Sequence, residues 1–232
     1  MVNKQSVLIW QRLLVEHTSR KLDYTSIVHT AMKIADRGGL AAVSMRNVAA
    51  ALHVGTMSLY RYVSGKDDLL DLILDAAYSE IPLPKNPGPD WRTQLTRVAI
   101  DSRRALKSHA WLGSLVTQRP TLGPNYLRWF EFLLAATTSP NRNMRTQVRM
   151  IGTLWSYITG FLAYELGETE TNRRHNLTEA KKRLLARPYL SQIISTGRHP
   201  YLQQFLKSRV GEPTDTDFRA GLRAVLAGIA FL

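Results

Sequence analysis

Between Ser44 and Leu70 the chain reads SMRNVAAALHVGTMSLYRYVSGKDDLL. Hydroxyls at Ser44, Thr56 and Ser58, phenols at Tyr60 and Tyr62, and cations at Arg46, Arg61 and Lys66 are crowded into this short run. That is hydrogen-bonding chemistry without a nucleophile or a paired acid and base, and it suits phosphate oxygens and base edges. Elsewhere the residues that could do covalent or metal chemistry are scattered. The six histidines stand at 17, 29, 53, 109, 175 and 199, and none pairs with a carboxylate at metal-ligand spacing. HExxH, phosphate-loop and GxSxG patterns are lacking, and cysteine is absent from the sequence, which excludes disulfides and thiolate sites. Catalysis, a bound metal and a cofactor are therefore not expected.

Such side chains are useful only if helices present them on one surface. Ser44 is a good N-cap for a short helix through Leu52, and Thr56 for a second through Tyr62. Two short helices joined by a tight turn cross steeply and need small residues where they touch, which Ala49, Ala50 and Ala51 supply. Val48, Leu52, Val54 and Leu59 are spaced to form the shared core. Thr56, Met57, Ser58, Tyr60, Arg61 and Tyr62 are then left on or near an exposed face that could enter a major groove. The turn carries His53, where a left-handed backbone and hence glycine is common; histidine tolerates that conformation better than most residues.

Helical periodicity runs through the rest of the chain, with no convincing strand alternation. Ile27, Ala31, Ile34 and Ala35 form one stripe of a helix over 24–37 that Gly38-Gly39 ends. A further helix is expected over 66–81, with Leu69, Leu70, Ile73 and Ala77 inward. The segment PLPKNPGPD, residues 82–90, holds four prolines and no helix can cross it. The expected organisation is an N-terminal extension over 1–22, a DNA-binding unit over 23–81, a linker over 82–90 and a helical domain over 91–232. In the last, helices are read near 90–108, 110–118, 123–137, 141–167, 178–195, 199–208 and 215–231. The charged stretch 167–183 is read as a loop in its first half. Val7, Leu8, Trp10, Leu13 and Leu14 fit either an extra helix on the DNA-binding unit or a frayed tail.

The 232 residues carry a formal charge of +13, which favours a polyanionic partner. The charge is unevenly placed. Residues 1–80 hold 9 basic against 8 acidic side chains, whereas 81–232 hold 22 against 10. Within the first part, 20–66 is basic and 67–80 purely acidic, a pattern that fits a DNA-facing end and a DNA-averse far end. The excess in the second part reads as solubility and steering, or as an anionic effector or second polyanion contact. No apolar run approaches the roughly 20 residues of a membrane span. A weak N-terminal apolar patch lacks a small-residue cleavage site, so a signal peptide is not expected and the cytoplasm is.

Taken with the preceding IVHTAMKIADRGGLAAVSMRNVAAAL, the segment 44–70 closely resembles the tetracycline-repressor (TetR) family of regulators. Residues 23–72 match that family's N-terminal domain almost throughout, and GTMSLYRYVSGKDDLLD is highly specific. The resemblance implies an all-α fold: a three-helix helix-turn-helix DNA-binding domain followed by a helical ligand-binding and dimerisation domain. It implies phosphate contacts for Ser44, Thr56, Ser58, Tyr60, Tyr62 and Lys66, and base-edge contacts for Arg46, Thr56, Met57 and Tyr60. Arg20 and Lys21 are read as a phosphate or minor-groove contact, or as a solvated pair.

LKSHAWLGSLVTQRP (106–120) and FRAGLRAVLAGIAFL (218–232) resemble the tetracycline repressors themselves. This implies a homodimer built from helices near 141–167 and 215–231. Small residues at 220, 221, 224, 227, 228 and 230 would let those helices approach closely. Ser102, Arg119, Glu131, Phe132, Trp155 and Thr159 are the candidate ligand-binding residues. The stretch Gly113–Gln118 lacks the histidine with which tetracycline repressors help hold a magnesium-chelated drug, which argues against that ligand. The expected function is a repressor released from a palindromic operator by a small-molecule effector. A transcriptional activator of the same architecture and a non-specific architectural DNA-binding protein remain alternatives.

Overall fold

Asp23 accepts a hydrogen bond from the Ser26 N–H and so opens the first long helix of the DNA-binding part. The computed structural model describes residues 8–15, 23–119, 121–175, 178–208 and 214–232, and among them it is all helical, without strands. Helix α1 (Ile9–Val15) precedes that start, and α2 (Tyr24–Gly38) follows it. The apolar stripe of α2 is buried as its spacing requires, with Ile27 and Ala31 at 0% exposure. Gly39, at φ +72°, returns its N–H to the Ala35 carbonyl and ends the helix. Then come α3 (Met45–Ala51), α4 (Thr56–Leu59) and α5 (Lys66–Ser79). Of the N-terminal stretch, residues 9–15 form a helix docked on the DNA-binding part, and Val7 lies outside the described residues. Ile9 is buried, and the Arg12 guanidinium reaches Ser64 Oγ at 2.8 Å and the Asp68 carboxylate. Arg20 and Lys21 lie outside the described residues.

After the proline-rich turn, Asp90 caps α6 (Trp91–Lys107) by accepting from the N–H groups of Arg92 and Thr93. Helices α7 (Leu112–Gln118), α8 (Pro124–Thr137) and α9 (Met144–His175) follow, then α10 (Glu179–Ser195), α11 (Pro200–Ser208) and α12 (Asp215–Gly228), which ends in a 3-10 turn over Ile229–Phe231. The long α9 is the axis on which α6, α7, α8 and α12 pack, with Leu154, Ile158 and Leu162 at 0% exposure. It also corrects one expectation. The stretch from Gly167 to His175, read as a loop, continues the helix. Its Glu, Asn, Thr and Arg residues are tolerable helix formers, and neither proline nor a second glycine interrupts them. Among the described residues no helix is long and apolar enough to cross a membrane.

Candidate nucleic-acid interface and ligand core

Helix α3 starts at Ser44, whose hydroxyl oxygen accepts from the Asn47 N–H at 3.1 Å. That cap uses an acceptor of Ser44 and leaves its O–H free to donate outward. The Asn47 amide nitrogen in turn donates to the Ala42 carbonyl at 2.8 Å, fixing the turn between α2 and α3. Val48, Ala49 and Leu59 are fully buried, while Leu52 and Val54 are half-buried. The turn between α3 and α4 is closed by His53 and Val54 N–H groups on the Ala50 and Ala49 carbonyls. His53 has φ +55°, the left-handed conformation expected for that position.

What faces outward is Arg46 on α3 and Met57, Ser58 and Tyr60 on and after α4, with Thr56 half-exposed. Met57 is 78% exposed, a large apolar side chain that nothing among the described residues covers. Two details differ from the expectation. Helix α4 is a single turn, capped by Gly55, and Thr56 is its first residue. Tyr62 is not on the outward face. It is buried, its ring meets Tyr24 edge-on at 5.4 Å, and its carbonyl accepts from the Tyr24 hydroxyl. With α4 ending at Leu59, the chain turns before Tyr62 and swings that ring under α2. Lys66 stands at the start of α5, where its ammonium donates to the Leu40 carbonyl at 2.9 Å.

Helix α5 joins this head to the C-terminal part, and its acidic residues are not a passive far end. Asp67, Asp71 and Asp75 recur every fourth residue and lie on one face. Arg119 Nε donates to Asp71 at 3.0 Å and Arg119 Nη1 to Asp67 at 2.9 Å. Asp75, 2% exposed, accepts from the backbone N–H groups of Asn125 and Tyr126 and from the Asn125 side-chain amide, at the N-terminus of α8. Burial pushes the Asp75 carboxyl above the ordinary range, against the opposing effect of those donors. Gly123 is needed here, because a Cβ would collide with the Asp75 carboxyl. A second clamp joins α2, the end of α5 and the turn after α6. His109 Nδ1 lies 2.7 Å from Asp36 and Nε2 lies 3.1 Å from Glu80, while the Trp111 indole N–H donates to Asp36 at 2.7 Å. Burial opposes the imidazolium, but the bonds to Asp36 and Glu80 outweigh it and raise the His109 pKa.

The candidate ligand residues divide. Ser102 on α6, Phe132 on α8 and Thr159 on α9 are buried, and Trp155 on α9 is half-buried. The Ser102 hydroxyl accepts from the Trp129 indole at 3.1 Å, and Trp129 meets Trp155 edge-on at 4.8 Å. Tyr78 of α5 and Tyr126 of α8 complete this aromatic group, with Tyr78 against Trp129, Trp155 and Tyr126. Sequence reading named neither tyrosine; for Tyr78 the signal was an aromatic on the buried face of the connecting helix. Arg119 and Glu131 stand apart from this group. The Arg119 guanidinium is spent on α5, and Glu131 is exposed.

A small helical reading head bolted through one helix to a larger body with a polar-dotted aromatic core is the build of a one-component transcriptional regulator. Residues 27–79 match the family model described as bacterial regulatory proteins, tetR family, and residues 83–232 match the tetracyclin repressor-like C-terminal domain. The chain belongs to the tetR family of DNA-binding transcriptional regulators. It is 34% identical over 207 residues to the HTH-type transcriptional repressor DrrR1 of Streptomyces coeruleorubidus, spanning 89% of this chain and 76% of that one. Among solved structures it is similar to ActR of Streptomyces coelicolor in complex with actinorhodin, with TM-score 0.76, 25% identity and coverage of 91% and 97% of the two chains. ActR in complex with (S)-DNPA gives TM-score 0.73, 26% identity and coverage of 92% and 99%.

Proposed function

We propose that the protein is a homodimeric repressor that holds a palindromic operator through Arg46, Met57, Ser58, Tyr60 and the edges of Ser44, Thr56 and Lys66, and that a small aromatic effector releases it. The observation that carries this reading is the double duty of α5. One end of it seats the outward-facing head, through Arg12 on Asp68 and Lys66 on Leu40. Its remaining length is gripped by Arg119, by the α8 N-terminus and by the aromatic core around Tyr78. A ligand entering among Ser102, Trp129, Phe132, Trp155 and Thr159 must displace rings that rest on α5, and α5 then moves the head. The aromatic walls favour a planar aromatic ligand. That ActR is seen in complex with actinorhodin and with (S)-DNPA supports a small-molecule effector. A repressor is favoured over an activator by the name of the DrrR1 relative. Domain limits of 23–81, 82–90 and 91–232, with the N-terminal 1–22 as an extension, suit the caps at Asp23 and Asp90. A protein with this role acts in the cytoplasm and turns nothing over.

Fluorescence anisotropy on DNA from upstream of its own gene, against scrambled DNA at physiological salt, tests the reading. A preference of about 1,000-fold, abolished by added aromatic effector, is the expected result. Equal affinity for both DNAs and for DNA from neighbouring promoters would instead favour the non-specific architectural alternative.

A further inference from the structure

A separate cleft of about 320 Å³ lies between α6 and α12, lined by Ile100, Arg103, Arg104, Lys107, Asp215 and Phe218 with Ser108 and Arg219 at its rim. Four of the lining residues are cations and one is a carboxylate. Arg103 is at its floor and is held rigidly. Its guanidinium lies over the rings of Phe161 and Phe218, at 5.2 and 4.7 Å, and its Nε and Nη2 fork onto Glu165 at 2.8 and 2.7 Å. Lys107 donates to the same Glu165 at 2.8 Å, and Arg104 pairs with Asp101. Arg219 forms no ion pair among the described residues. Counting Glu165 and Asp101, the cations still outnumber the carboxylates.

The second hydrogen bond of Arg103 Nη2 goes to Asp215 at 2.8 Å. Asp215 is an unusual partner for a buried arginine, because its own side chain is 78% exposed. It also takes no part in capping its helix. The N-terminus of α12 is closed by a reciprocal capping box between Thr214 and Asp217, which leaves Asp215 no capping duty. A carboxylate thus rests on a preorganised guanidinium, with three more cations around it and apolar walls from Ile100 and Phe218, and among the described residues its side chain makes no other hydrogen bond.

We propose that this cleft is a second ligand site, distinct from the aromatic core, which takes a small organic anion whose acid group replaces Asp215 on Arg103. Asp215 acts as an internal stand-in for the ligand's carboxylate. Arg103, fixed by Glu165 and two phenyl rings, supplies the planar donors; Lys107 and Arg219 neutralise the incoming charge; Ile100 and Phe218 accept a short apolar body. With Asp215 swung out, the cations exceed the carboxylates by two, and a monoanion restores the excess of one that Asp215 leaves when it is in place.

The test uses the full-length protein and isothermal titration with phenylacetate, 1-naphthylacetate, phenylphosphonate and the neutral phenylacetamide. A probe of this size is expected to bind with Kd on the order of 1 mM or tighter. Asp215→Asn removes the competing charge and should tighten the acids about tenfold, whereas Arg219→Gln and Lys107→Gln should each weaken them about three- to tenfold. Far-UV circular dichroism and operator affinity report whether each variant is folded. Arg103 is left unchanged, since its loss would strand Glu165. Phenylacetamide binding as tightly as the acids, no gain in Asp215→Asn, or acid binding indifferent to Arg219→Gln would each overturn the proposal. So would failure of all three acids to bind Asp215→Asn below about 10 mM.

Discussion

Arg46 and Tyr60 sit on different helices of the reading head, yet both are exposed and neither is engaged by an ion pair or ring contact among the described residues. Losing a bidentate arginine–base contact costs about 1–3 kcal/mol of discrimination. Arg46→Ala should therefore lower operator affinity by about tenfold or more while leaving the melting temperature unchanged, and anisotropy beside thermal unfolding checks both halves. His53 offers a complementary case. A non-glycine residue at φ +55° carries a conformational cost of roughly 1–2 kcal/mol, and glycine relieves it at an entropic cost of roughly 0.5–1 kcal/mol. His53→Gly should raise stability by up to about 1 kcal/mol in urea unfolding without weakening operator binding; a loss of affinity would instead assign His53 a contact with DNA. At this scale much was legible in sequence. Ser44 as cap, the left-handed turn and the exposed Met57 all follow from residue type and spacing. Tyr62 did not, because a period-3.6 face extrapolated past a helix only one turn long points the ring the wrong way.

The connecting helix shows why partners are harder to read than elements. Asp67, Asp71 and Asp75 were visible as an acidic run, and electrostatics alone made them a surface turned from DNA. Asp71 and Asp75, one turn apart on a helix with Leu69, Leu70, Leu72, Ile73 and Leu74 buried around it, are carboxylates pressed into packing, which demands donors, while Asp67 stays exposed at the end of the row. The donors come from Arg119 and Asn125, about 50 residues away, and no local rule names them. Arg119→Ala should leave operator affinity largely intact but blunt its response to effector, and should cost on the order of 1–2 kcal/mol by stranding half-buried Asp71. An unaltered effector response in that variant would remove Arg119 from the linkage. The His109 clamp adds a pH dependence of definite sign. Asp36 and Glu80 are acceptors only when ionised, so both ring nitrogens must donate and the bound form is imidazolium. A histidine pKa raised in the folded state contributes stability that is full below its ordinary value near 6.5 and is lost as pH rises through the folded value. Wild-type protein should thus lose stability relative to His109→Gln as pH rises above about 6.5 in parallel denaturant titrations, and a difference independent of pH would show that the clamp leaves the histidine pKa unshifted.

At the scale of the whole molecule, the two helices expected to join the subunits bear surfaces that nothing among the described residues covers. On α9, Met144, Val148, Gly152, Ser156, Gly160 and Tyr164 recur every fourth residue and are all exposed, Met144 at 60% and Tyr164 at 52%. On α12, Phe218, Leu222 and Leu226 turn inward while Ala220, Ala224 and Ala227 turn out, and Phe231 beyond them is 92% exposed. On α12 and in the middle of α9, at Gly152, Ser156 and Gly160, the outward lane is one of small residues, flanked on α9 by the exposed Met144, Val148 and Tyr164, an arrangement that lets a second pair of helices approach closely and bury apolar surface. Gly160 separates the intrachain from the intersubunit contribution. A Cβ built there meets nothing within 4 Å, so the single chain has no steric objection to a larger residue. Replacing a mid-helix glycine with a better helix former favours the helix by roughly 0.5–1 kcal/mol. Gly160→Arg is thus expected to be neutral or mildly favourable inside one subunit and, on the proposed α9 interface, obstructive between two. Light scattering should find it monomeric at concentrations where the wild type is a dimer, with helical circular dichroism retained. A single reading head on half of a palindrome loses the second set of contacts and the effective concentration that linkage confers, so operator affinity should fall by about 100-fold or more. A Gly160→Arg protein that remains dimeric with full operator affinity would move the interface off α9.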